Sequence, residues 1–155
     1  MTVSQMLLPE FDLEMANTRK ILECVPEDKF GWKPHQKSFT LGKLANHLAN
    51  IPVGAVVIIM GRGRKPSEAG SKAQLLEAFD NHIAAAREAL AGASDEDLAR
   101  TIHVTPTVTK PRLNALRGWV MNHSIHHRGQ LSVYLRLLDM AVPGIYGPSA
   151  DEKVG

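Results

Sequence analysis

Cysteine is almost absent from this 155-residue chain: the one thiol is Cys24. That excludes an internal disulfide framework and any zinc site built mainly from thiolates. An excess of one charge is missing too. Eighteen basic residues stand against 16 acidic ones, a net charge of +2, and the pI near 8.8 reflects that near balance. A nucleic-acid partner would call for a basic stripe, and none is expected here. Long apolar runs are also lacking. The most apolar stretch is 51–60, interrupted by Pro52 and Gly54, against the roughly 20 residues needed to span a bilayer. The segment Met1 to Pro9 has no cationic start followed by an apolar core and a small-residue cleavage site. A cytoplasmic chain without a membrane partner is the expectation. Equally absent are a GxSxG elbow, a GxxxxGK[ST] loop, a GxGxxG turn and an HExxH pair.

What the chain does hold is a globular composition, 44% apolar and 22% charged, in a length that suits a single domain over 1–155. Apolar residues at helical spacing place a first helix over about Ser4 to Cys24, with Leu7, Phe11, Met15, Thr18 and Leu22 on one side and Pro26 closing it. After a polar link over Glu27 to Ser38, Thr40 or Ser38 can cap a second helix with an inner stripe of Leu41, Leu44, His47, Leu48 and Ile51. Pro52 should offset that helix before it ends near Gly61. Ser71 and Gln74 resemble a capping box opening a third helix that stops at Gly92. Residues Ala99 to Thr109 suit a short strand pair or an irregular crossover, and a last helix runs from about Arg112 to Met140. The expected fold class is all-α: a four-helix bundle with a longer crossover between helices 3 and 4.

Seven histidines outweigh the single cysteine. At about 100° per residue, Leu116, Val120, His123, His127, Gln130, Tyr134 and Leu138 share one band of the last helix. His123 and His127 therefore take core positions one turn apart, and His47 takes one on the second helix. A buried imidazole needs a partner, because an unpaired buried polar group costs roughly 2–7 kcal/mol. Each could find a carbonyl or carboxylate singly. One divalent metal ion would satisfy all three, and three imidazoles leave an open position, as a catalytic site does. That open position would hold water, whose pKa a zinc ion can lower to about 7.

His126 falls at the edge of the stripe, a neighbour or surface residue rather than a ligand. Gln130 on the inner face could hold water or substrate, or cap a carbonyl. His35 could line a cleft at the end of the bundle, while His82 and His103 read as surface or loop residues. Cys24 reads as a buried structural thiol, and Arg62, Arg64 and Lys65 as a solvated loop that could meet an acidic cofactor. A di-iron site of the Glu-x-x-His type is excluded, since Leu44 and Val120 stand where its glutamates would be.

The run Asn122-His123-Ser124-Ile125-His126-His127-Arg128-Gly129-Gln130-Leu131 resembles the DinB-like family of bacterial metal-binding four-helix bundles. The stretches Trp32 to Ser38, Leu44 to Ala49 and Val142 to Glu152 extend that likeness over nearly the whole chain. The resemblance implies a bundle with an unusual crossover, often a homodimer. It also implies one divalent ion, zinc or nickel most often, on the positions matching His47, His123 and His127. Some relatives join a low-molecular-weight thiol (bacillithiol, mycothiol or glutathione) to small electrophiles, and others have no assigned activity. The expected function is therefore a metal-dependent thiol transferase. A metal-dependent hydrolase and a non-catalytic metal-binding stress protein are the alternatives.

Overall fold

The computed structural model describes residues 1–63 and 65–152. Helix α1, Val3–Glu23, starts where Thr2 and Gln5 form a reciprocal capping box, and it carries Pro9 within its length. Its inward stripe of Leu7, Phe11, Met15, Thr18 and Leu22 is buried, as its spacing predicts. A single 3₁₀ turn, Glu27–Lys29, then leads the link back across the bundle. Helix α2, Leu41–Asn50, is capped by Thr40, whose hydroxyl accepts from the Lys43 amide. Its first amides, on Leu41 and Gly42, donate to the Trp32 and Phe30 carbonyls at 2.7 and 2.9 Å. The link lies so close there that a Cβ on Gly42 would sit 2.9 Å from Phe30, which is why glycine occupies the position.

Pro52 has no N–H for the Leu48 carbonyl, and the helix breaks at that point. It resumes as α3, Val53–Met60, and ends on Gly61 in the left-handed region at φ 68°. The span Leu41–Met60 is long and apolar enough, by length and composition, to cross a membrane. The break and the burial of most of it in the bundle account for that apolarity as core. Two asparagines one turn apart on α2 hold the following loop like a short strand pairing. Asn46 exchanges hydrogen bonds with the Ala69 amide and carbonyl at 2.7 and 3.0 Å, and Asn50 does the same with Ser67 at 2.8 Å each.

Helix α4, Lys72–Gly92, is capped by Ser71. Gln74 turns its side chain to the Gly70 amide, so the box expected there is only half formed. His82 of α4 corrects the surface reading: it is 5% exposed, with Nδ1 on the Ala49 carbonyl at 2.9 Å beside the helix break. The longer crossover contains a helix the spacing did not reveal, α5, Asp95–Ala99, opened by a Ser94–Asp97 capping box. Strands β1, Thr101–Thr105, and β2, Val108–Pro111, follow as an antiparallel hairpin.

The last rod is not one continuous α-helix. It consists of α6, Arg112–Leu116, a π-helical segment, Arg117–Asn122, and α7, His123–Leu137. A π turn takes one residue more than an α turn, and burial follows that shift. Ala115 and Leu116 are buried, then Val120 and Met121 five residues on, then Ser124, Arg128, Leu131 and Leu135. Uninterrupted counting put His123, His127, Gln130 and Tyr134 inward. The core positions belong instead to the residue after each.

One of those core positions is a charge. Arg128, 3% exposed, meets the carboxylate of Glu14, 6% exposed, at 2.6 Å. It also donates to the Glu14 carbonyl at 2.9 Å and the Thr18 hydroxyl at 3.2 Å, and to the Tyr146 hydroxyl, which itself donates to Glu14 at 2.7 Å. The network joins α1, α7 and the C-terminal tail. Glu14→Ala is expected to cost about 3–5 kcal/mol in urea unfolding, because it strands a buried guanidinium. Glu14→Leu combined with Arg128→Met should recover most of that loss.

Candidate metal centre

His47 reaches the site from the last turn of α2, and His123 and His127 from the first turns of α7. The three rings converge, with one nitrogen from each lying within 4.8 Å of the others. Nε2 of His123 stands 3.3 Å from Nε2 of His47 and 2.7 Å from Nε2 of His127. All three side chains are half-buried. The site therefore lies at the rim of the bundle, where the one-residue shift of the π segment puts it, and not in the core.

Hydrogen bonds on the far side of two rings set their protonation. His123 Nδ1 lies 3.3 Å from the Trp119 carbonyl, and His127 Nδ1 lies 2.7 Å from Gln130 Oε1. A carbonyl only accepts, so His123 is protonated at Nδ1; the amide oxygen places His127 in the same tautomer. Each Nε2 then offers a lone pair, and the two lone pairs face each other at 2.7 Å. That arrangement is repulsive unless the two rings share a proton or a metal ion. Tetrahedral zinc with bonds of about 2.0–2.1 Å would separate its nitrogen ligands by about 3.3 Å. The His47–His123 spacing meets that value, and the His123–His127 pair would open slightly. The donor set is three imidazoles with no carboxylate or thiolate, and it fits one divalent ion with room for a further ligand.

Burial holds the His47 pKa below the ordinary histidine value, and repulsion from charge on His127 and His123 adds to it. Burial also lowers His127, against the opposing hydrogen bond to Gln130 and with help from His123 and His126. Both imidazoles are thus neutral, and fit to coordinate, at neutral pH.

Two hollows flank the triad. One, of about 490 Å³, is lined by Gly118, Trp119, Asn122, His123 and His126. The other, of about 250 Å³, is lined by Ser38, Phe39, Leu44, His127, Gln130 and Tyr134. His126 is exposed beside His127, with ring centres 4.9 Å apart, and it is not in the converging set. Gln130 acts on His127 and not on a buried carbonyl. His35 does not line the cleft: it is exposed in the link, accepting from the Lys37 amide. The link instead contributes Phe39, whose ring meets His47 edge-on and whose carbonyl accepts from the Tyr134 hydroxyl at 3.2 Å.

Cys24 is half-buried and not fully buried. Burial raises its pKa and Lys20's carbonyl takes its thiol, which is the opposite of an activated nucleophile. Arg62 and Lys65 are exposed, and Arg64 lies outside the described residues. His103 is exposed on β1, near Thr109. Besides Phe39, two contributors are not evident from the sequence candidates. The Trp119 carbonyl is a backbone group that residue identity does not reveal. The Arg128–Glu14 pair had a signal: Glu14 is a lone acid within the apolar stripe of α1.

Removing the amide behind one ring should weaken the site without dismantling it. Gln130→Leu is expected to lower zinc affinity about 10–100-fold in competition with a chromophoric chelator. Affinity should stay level from pH 8 to about 6.5 and fall below that, as protons compete for the imidazoles. The metal-free protein should lose stability over the same range. Its unfolded histidines gain protons near pH 6.5, before the depressed folded ones do, and the loss levels off below the folded pKa values.

The model for the DinB superfamily matches residues 10–131 of this chain. A relative in Bacillus subtilis, the uncharacterized protein YrdA, is 25% identical, with 94% of this chain and 89% of that protein aligned. The fold is similar to the crystal structure of a DinB-like protein from Bacillus cereus at a TM-score of 0.80 and 23% identity, covering 94% of this chain and 98% of that one. It is also similar to the DinB-like protein YjoA from Bacillus subtilis at 0.73 and 21%, covering 92% and 98%. The match over most of its length, on a helical bundle of the same architecture, means that the chain belongs to the DinB superfamily.

Proposed function

We propose that this protein is a metal-dependent transferase that joins a low-molecular-weight thiol to small electrophiles. The observation that carries the reading is the convergence of one ring nitrogen each from His47, His123 and His127 within 4.8 Å, at an open rim between two hollows. A divalent ion held there, zinc or nickel as the likeness to DinB-like proteins implies, would supply positive charge that lowers the pKa of a bound thiol.

The chain's own residues do the rest. Trp119 and Gln130 hold His123 and His127 in the tautomer that presents Nε2. Two hollows on either side of the triad suit a reaction with two substrates. Neither is lined by a carboxylate that could take a proton from water. That favours a nucleophile that ionises readily, such as a thiol with a pKa of about 8.5, over hydrolysis. The only protein thiol described, Cys24, is not among the lining residues, so the sulfur would come from the small molecule. Exposed apolar side chains on α1 (Met6, Leu13) and α7 (Val133, Leu137) support assembly as a homodimer.

Protein purified without a histidine tag should carry one zinc or nickel ion per chain by elemental analysis, and His47→Ala should lose it. Full occupancy in that variant would overturn the ligand assignment. Zinc-loaded protein given bacillithiol, mycothiol or glutathione with an electrophile should show turnover that His123→Ala reduces at least about 100-fold. No turnover above that control with any thiol would overturn the transferase reading, and equal turnover without thiol would select hydrolysis.

A further inference from the structure

Trp119 is 48% exposed although it belongs to the helix that carries two of the three histidines. It stands in the π-helical segment, four residues before His123, and its carbonyl already accepts from that ring. Its indole is not packed into the core. It forms a wall of the 490 Å³ hollow, with His123 as the wall shared with the triad. A hollow of that size falls within the usual range for small-molecule sites, about 300–1,000 Å³. Gly118 keeps one side open: a Cβ there would meet nothing within 4 Å.

The lining chemistry narrows the occupant. It consists of an indole, two imidazoles, the Asn122 amide and a glycine, with no carboxylate, ammonium or guanidinium. The adjacent cation, Arg117, is committed to Glu10 at 2.9 Å. A carboxylate or phosphate would find no side-chain cation among these lining residues, whereas a flat uncharged ring could lie on the indole face and against His123. Aromatic faces favour such offset or edge contacts.

We propose that this hollow is a subsite for a planar, uncharged aromatic group of the electrophile, with Trp119 as its stacking platform. The ring would be seated beside His123, on the opposite side of the triad from the hollow at His127. That separation leaves the His127 side for the thiol. The later reaction of the electrophile rests on the thiol-transfer reading, but its seating beside Trp119 is measured without a thiol.

The probe is 1,3-dinitrobenzene, planar and unreactive toward the protein, titrated into zinc-loaded protein. The chain has two tryptophans, and Trp32 packs edge-on against Tyr134 with ring centres 5.7 Å apart. In Trp32→Phe, Trp119 alone reports, and its fluorescence should be quenched saturably. In equilibrium dialysis, Trp119→Ala should weaken binding roughly tenfold, the scale of losing one stacking face. Gly118→Leu, which keeps the indole and fills the hollow, should do the same. Non-saturating quenching equal to that of free N-acetyltryptophanamide would overturn the proposal. So would undiminished binding in both variants. Conversion of a dimer to a monomer by Trp119→Ala, read by light scattering, would show that a second copy covers the indole and would overturn it too. Saturable binding without thiol turnover would leave the subsite standing while the transferase reading fails.

Discussion

A guanidinium withdrawn from water between two helices needs partners for its donors, and both terminal nitrogens of Arg128 have two each. Its partners come from Glu14 and Thr18 on α1 and from Tyr146 in the tail. Because the head group is planar and its donors are fixed in direction, this pairing sets how α7 is rotated about its own axis. Arg128 follows His127 directly. The rotation that satisfies the arginine therefore also turns His127 and His123 to the rim of the bundle. A buried ion pair is often a weak source of net stability, but as a positional constraint it fixes the side of α7 on which a ligand can be met.

The π segment supplies the other half of that setting. Without its extra residue, the register begun at Ala115 and Leu116 would bury the imidazoles and expose Arg128. With it, the core receives Ser124, Arg128, Leu131 and Leu135, and the histidines become half-exposed. The segment also leaves the Trp119 carbonyl where His123 can use it. Departures from regular helix often accompany functional sites, and here the departure turns His123 and His127 from expected core positions to the rim. On the opposite wall, the helix break at Pro52, the His82 contact to Ala49 and the Asn46 and Asn50 clamps hold α2, and with it His47.

Much of this could be read from residues in order. The helical rods follow from apolar spacing, Pro52 and Gly61 act where their backbone chemistry dictates, and the H-x3-H pair with His47 identifies the rings that converge. The position of that convergence in depth was not legible. Counting at a constant angle has no means of registering an inserted π residue, since no single side chain in Arg117–Asn122 announces one. For the same reason Gln130 was placed inward with an open role, whereas it lies at the surface holding His127.

The sequence by itself determined which residues can bind a metal, because imidazole chemistry and helical spacing are properties of the chain. It also determined that the chain carries one thiol, Cys24, with Lys20 as the sole cation one turn away in the sequence. Only the tertiary structure decided that His35 stays in solvent while Phe39 meets His47, that His82 is buried, and that the triad opens between two hollows. Those outcomes depend on long-range contacts, the Arg128–Glu14 pair above all. Residues 114 positions apart in the chain become neighbours only when the bundle closes.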